Sequence, residues 1–409
     1  MKLKRAIAIV LTIALCVVSG GCQKSETGGD FLTSAADSVP DPVPPAASSE
    51  EAKQTVKATF LGVYGYGNPG IVKSNAASFK YRFKVGDAEK TYTISTEPDY
   101  SIQNTLKVGY QYNIVVKDGA VTKAEVIDSK EYTDAKPVVS GEAGVRTITN
   151  FLKTAMMPVG TALYVYGGGW NWQDDSGSYS SRTIGFSTDW VRFFKEHNED
   201  YTFKDDSRPY DSYYPYGGFN QYHYAGLDCS GFVGWVLYNT LEKEDMKESY
   251  VTKATTMAKS LADKGLGTYS KTIATDKNGN KITYPGDIIS TTEHVWISLG
   301  TCSDGSTLMV NSDFTSSRNS KPGAGVQIAA IGSSRNCEAY TLAKKYMARY
   351  YPDWYARYNV YLNNPVLFFD TDNTTAGLFS WHISSAGLTD PDGMRSMKPS
   401  QVLKVLFKE

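Results

Sequence analysis

The stretch A-G-L-D-C-S-G-F-V-G-W-V-L-Y-N-T-L, residues 225–241, puts a thiol at the entrance to an apolar helix. Phe232, Val233, Val236, Leu237 and Leu241 recur at helical spacing, which predicts a helix from Cys229 with one buried face. Asp228 and Ser230 are good N-cap types, and Gly226 and Gly231 loosen the entry. A sulfur there lies against the positive end of the helix dipole, which favours thiolate and suits a nucleophile. A cysteine hydrolase also needs a histidine to carry the thiol proton and a third polar group to fix its tautomer. The chain has four histidines. His197 sits among charges in F-K-E-H-N-E-D, His223 in a Tyr-rich loop, and His382 in S-W-H-I-S-S. His294 opens H-V-W-I-S-L-G, a predicted strand whose alternation puts His294, Trp296 and Ser298 on one side. The hairpin G-T-C-S-D-G-S-T leads to the strand L-M-V-N-S and brings Asn311 alongside the start of the His294 strand. An Asn amide there can accept the imidazole N–H, and Asp313 is the second candidate for that role.

Taken together, L-D-C-S-G-F-V, Y-P-G-D-I-I-S, H-V-W-I-S-L-G, M-V-N-S and the upstream Y-V-Y-G-G-G-W resemble the NlpC family of bacterial cell-wall cysteine endopeptidases. Each motif alone is weak, and their combination in this order is specific. The resemblance implies a papain-like α+β fold and cleavage of the γ-D-glutamyl bond to a diamino acid in peptidoglycan stem peptides. It assigns Cys229 as nucleophile, His294 as base and then acid, and Asn311 as the orienting residue, where relatives often carry His. It also implies that Tyr164, Asp228 and Ser230 bind substrate, gripping a free L-Ala amino group. Plain helix capping accounts equally well for Asp228 and Ser230. No cofactor is implied. Two alternatives stand beside this reading: a related papain-like amidase cutting between muramic acid and L-Ala, and a non-catalytic wall-binding lipoprotein.

Those residues need elements to hold them, and 409 residues suffice for two domains. A formal charge of -1 offers no basic field for nucleic acid, so none is expected as a partner. Neither H-E-x-x-H nor C-x-x-C occurs, and no metal site is expected. M-K-L-K-R followed by an apolar run and S-G-G-C reads as a lipoprotein signal, residues 1–21, with Cys22 lipidated. The protein is therefore expected outside the cytoplasm, on the membrane through its lipid anchor. Losing Lys2, Lys4 and Arg5 with the signal takes the formal charge from -1 to -4. Cys302 and Cys337 could pair or could both stay reduced.

Residues 22–52 are rich in Ser, Ala, Pro and Asp and read as a disordered tether, roughly 30 Å long on average. Five short strand patterns between 53 and 130 predict a small SH3-like or OB-like β-barrel, with K-D-G-A-V as a tight hairpin turn. G-Y-G-N-P-G formally matches a nucleotide-loop pattern, but no helix follows it and it is discounted. A linker, 131–142, precedes the catalytic domain, 143–409, in which helices come before a run of antiparallel strands. Two stretches fall outside the family core. One is an insert at about 169–227 holding R-P-Y-D-S-Y-Y-P-Y-G-G-F-N-Q-Y-H-Y, either a cleft wall or a self-packing lid. The other is everything after about 330.

Overall fold

A computed structural model of the chain describes residues 53–64, 80–94, 102, 105–128, 135–165, 167–171, 176–177, 179–196, 222–244, 248–313, 315–316 and 322–409. The signal, the tether with Cys22, His197, G-Y-G-N-P-G and most of the Tyr-rich stretch lie outside the described residues. The described part is a mixed α+β structure with two mixed sheets and eight α-helices.

The first sheet holds β1 (Gln54–Tyr64), β2 (Lys80–Val85), β3 (Ala88–Ile94), β4 (Gln111–Lys117) and β5 (Ala120–Asp128). They close in the order β1-β2-β3-β5-β4. All neighbours are antiparallel except β3 and β5, which run parallel at Thr93↔Ala120. Alternation along β1, β2 and β4 drives Ala58, Phe60, Tyr81, Phe83, Tyr112 and Ile114 inward as one core. The Asp118-Gly119 turn has φ of 53° and 74°, the left-handed pair that a two-residue hairpin demands.

The second sheet has seven strands: β6 (Gly267–Ser270), β7 (Ile288–Ser290), β8 (Val295–Thr301), β9 (Thr307–Ser312), β10 (Val326–Ile331), β11 (Leu362–Asn363) and β12 (Gly377–Trp381). Their order is β11-β10-β9-β8-β7-β12-β6. The antiparallel sheet expected from sequence is thus mixed, because β11 pairs in parallel with β10 at Ala330↔Leu362. Every residue of β7, β9 and β10 is buried, as it must be when both faces of a sheet are covered.

The helices are α1 (Ile148–Met156), α2 (Thr188–Glu196), α3 (Cys229–Leu241), α4 (Met257–Asp263), α5 (Glu338–Tyr350), α6 (Pro352–Arg357), α7 (Pro365–Phe368) and α8 (Pro399–Phe407). The expectation that α3 buries one face is too modest: every residue from Cys229 to Thr240 is buried. The reason lies in the insert. Trp190 of α2 meets Trp235 edge-on at 5.2 Å, and Asn239 bonds Gly185 N and Thr183 O. The described part of the insert is therefore a second coat over the helix. It also reaches the barrel. Asp189 accepts from Lys107 Nζ and Tyr110 OH, both at 2.5 Å, and Tyr224 OH accepts from Val108 N at 3.0 Å.

The residues after 330 are likewise built in. β12 fills the gap between β7 and β6, pairing Leu378↔Ile289 on one side and Phe379↔Tyr269 on the other. Asp287, fully buried beside β7, is held by Arg395 at 2.5 Å and by Ser380 Oγ at 2.7 Å, both from the tail.

Candidate active site

Helix α3 starts where sequence placed it. Asp228 is its N-cap, accepting from Gly231 N at 2.6 Å and from Ser230 Oγ at 2.9 Å. A third donor is Gly169 N at 3.3 Å, from the Y-V-Y-G-G-G-W turn. That turn needs its glycines. A Cβ on Gly169 would stand 2.5 Å from the Gly231 Cα, and one on Gly231 would stand 2.7 Å from the Gly169 Cα. The two motifs touch backbone to backbone, which locks the turn before Cys229 in place. Tyr164, 8% exposed, is held on the same turn by its N–H to Ala324 O at 2.6 Å.

Cys229 is buried, and its sulfur accepts a hydrogen bond from the Val295 backbone N–H. The nucleophile candidate thus sits against the residue that follows His294. A tight turn joins β7 to β8: Thr291 N donates to His294 O at 2.8 Å, and His294 N to Thr291 Oγ1 at 3.0 Å. The imidazole is mostly enclosed, with 14% of its side chain exposed. Its Nε2 lies 3.0 Å from Nδ2 of the fully buried Asn311 and 3.9 Å from Oδ2 of Asp313. Ile297 faces Val310, so Asn311 stands beside Trp296 on the side His294 uses, the arrangement expected from sequence. Both sequence candidates for the third position are at the ring.

One contact had no signal in the motifs. Phe368, at the end of α7, meets the His294 ring edge-on at 5.3 Å, and its carbonyl accepts from Trp296 Nε1 at 3.2 Å. A residue 74 positions away in the region read as outside the core walls the histidine. Asn311 is the orienting residue expected from sequence, whereas Gln327 is legible there only as a lone polar residue within an apolar strand.

Burial dominates the electrostatics. It lowers His294 to about 4 and raises the Cys229 thiol, with the Asp228 and Asp313 charges pushing the thiol further up. This opposes the thiolate expected from the helix dipole. Desolvation and two carboxylates outweigh a partial charge, so thiol and imidazole rest neutral. Burial also raises Asp228, against the pull of its neutral donors, Gly231 N, Ser230 Oγ, Gly169 N and the Ser230 backbone N–H.

His223, the loop candidate, is buried in the insert's aromatic packing at 5.6 Å from the Tyr224 ring, and His382 is exposed. Cys302 and Cys337 are free thiols. Ligand atoms of Cys302, Asp304 and Glu338 lie within 4.8 Å of one another. Both carboxylates are engaged around the α5 N-terminus: Asp304 accepts from Glu338 N and Ser306 N, and Glu338 from Ser303 N.

Comparison with known proteins returned no matching family model, no matching curated protein and no matching solved structure.

Proposed function

We propose that the protein is a cysteine endopeptidase of the bacterial cell wall, cleaving stem peptides at the γ-D-glutamyl–diamino acid bond. In this reading the larger part is a papain-like domain, the barrel is an SH3-like or OB-like module, and Cys22 carries the membrane anchor. The observation that supports it most is the Cys229 sulfur on the Val295 amide, the residue after His294, whose Nε2 is met by Asn311.

The chemistry follows from the neutral resting pair. The thiol proton moves to Nδ1 of His294 as the sulfur attacks the glutamyl carbonyl, so charge separates only when substrate is in place. As a first-turn donor of α3, the Cys229 N–H has no acceptor within the helix and can serve the developing oxyanion. His294 then gives its proton to the leaving amine, and water hydrolyses the thioester by the reverse transfer.

The carboxylate of Asp228 has neutral donors around it. An ammonium would supply what they lack, a full positive charge, which favours stem peptides with a free L-Ala amino group.

The deciding experiment is mass spectrometry of L-Ala-γ-D-Glu-diamino acid peptides and their muramyl-linked forms after incubation with the protein. Products split at the γ-D-glutamyl bond support the reading. Release of L-Ala from muramic acid would make it an amidase instead, and intact substrates would remove the enzyme.

A further inference from the structure

Two buried acceptor oxygens, on Asn311 beside His294 and on the residue paired with it across the sheet, have no hydrogen-bond partner among the described residues. They are Oδ1 of Asn311 and Oε1 of Gln327. Both residues are fully buried, and they face each other directly across β9 and β10 in the register Asn311↔Gln327. Side chains so paired are within reach of each other on one face of the sheet. A buried acceptor without a donor is costly, and two together at a catalytic histidine need an explanation.

The end of Gln327 nearer β11 is already fixed. Its Nε2 donates to Asn359 O at 3.3 Å, so Oε1 is the end left to meet Asn311. The Asn311 amide is not fixed in the same way. With Nδ2 toward His294 Nε2, that ring nitrogen must be the unprotonated one. The proton then sits on Nδ1, the nitrogen that must receive the thiol proton, and the base is blocked. Turning the amide by a half-rotation exchanges its oxygen and NH2, which are nearly the same size. Oδ1 then accepts from His294 Nε2–H, Nδ2 donates to Gln327 Oε1, and both orphaned oxygens are satisfied by one move.

We propose that Gln327 is a positioning residue that holds the Asn311 amide in this orientation and so keeps His294 in the Nε2–H tautomer. The chain of donation runs from His294 to Asn311 to Gln327, and the far end of Gln327 is pinned on the Asn359 carbonyl. His294 Nδ1 keeps its lone pair for the Cys229 proton. Asp313, 3.9 Å from Nε2, lies on the same side as Asn311 and adds attraction for the ring once it is protonated.

This inference rests on the endopeptidase reading for its consequence but not for its test. The whole protein labelled with 15N-histidine gives the tautomer of His294 directly from its ring nitrogen shifts, assigned by the His294→Gln variant. The expected result is protonated Nε2 in wild type, and a mixture of tautomers in Gln327→Met, which keeps the volume but removes the acceptor. Gln327→Glu keeps an acceptor for Asn311 and should restore the wild-type tautomer. With the stem peptide as substrate, Gln327→Met should lose kcat roughly tenfold with KM little changed. Gln327→Glu should recover most of it. A wild-type Nδ1–H tautomer, or the same tautomer in wild type and Gln327→Met, overturns the proposal even if the protein hydrolyses nothing. Absence of hydrolysis with the expected tautomers would overturn the endopeptidase reading alone.

Discussion

At the scale of single residues, the proposed mechanism separates groups that react from groups that orient. Cys229→Ala should remove hydrolysis by at least about 1,000-fold with an unchanged circular dichroism spectrum, because only the attacking atom is lost. His294→Ala should come close to that. Asn311→Ala should cost less, roughly 100-fold, since water can hold the ring but not as well. Equal turnover by wild type and Cys229→Ala would end the cysteine mechanism. The burial of His294 has its own signature. In the unfolded chain the imidazole has an ordinary value near 6.5, and in the fold it is lowered to about 4. Between those limits the unfolded chain takes up a proton that the fold refuses, so stability is lost as pH falls from 6.5 toward 4. The loss approaches about 1.4 kcal/mol per pH unit for the one group. Asp228, raised by burial, works in the opposite direction in acid, so the measurement is a difference. Urea unfolding of wild type and His294→Gln across this range should converge at low pH, and parallel curves would contradict the lowered value.

At the scale of elements, the central ones were legible because their signals are local. The α3 cap, the β8–β9 hairpin and the Asp118-Gly119 turn are each written in a few adjacent residues. What escaped was long-range. Nothing in G-L-F-S-W announces a strand that will lie between two others formed a hundred residues earlier, because interior position is a property of pairing rather than of composition. The same holds for Phe368 on His294 and for the contact of Gly169 with Gly231, which need the folded chain to exist. The thiolate expected at α3 failed for a related reason: the helix dipole is visible in sequence, whereas the two neighbouring carboxylates and the depth of burial are not. The buried ion pair between tail and sheet gives a direct test of how much the tail matters. Arg395→Met leaves Asp287 without its cation in a fully buried site and should destabilise by about 3–5 kcal/mol. A change below about 1 kcal/mol would mean that Ser380 and the Tyr284 amide suffice.

At the scale of the whole molecule, the proposed export signal and tether precede a barrel tied to the insert through Asp189. If Cys22 is the anchor, Cys22→Ser should move the protein from the membrane pellet to the soluble fraction, because the acyl chains are the attachment the sequence supplies. Continued sedimentation would place the attachment elsewhere. The strand order carries one more consequence, in time rather than in space. Residues 267–290 leave the ribosome well before residues 377–381, yet β12 must slot between them before β6 can join the sheet. The wall opposite His294 likewise waits for Phe368. A chain emerging from its amino end can assemble the barrel early, since those strands are complete by residue 128. The second sheet must wait for the last tenth of the chain. A chain completed in this order closes the surroundings of Cys229 and His294 last, and a message truncated near its end would yield the barrel without the strand and the ring that finish that site.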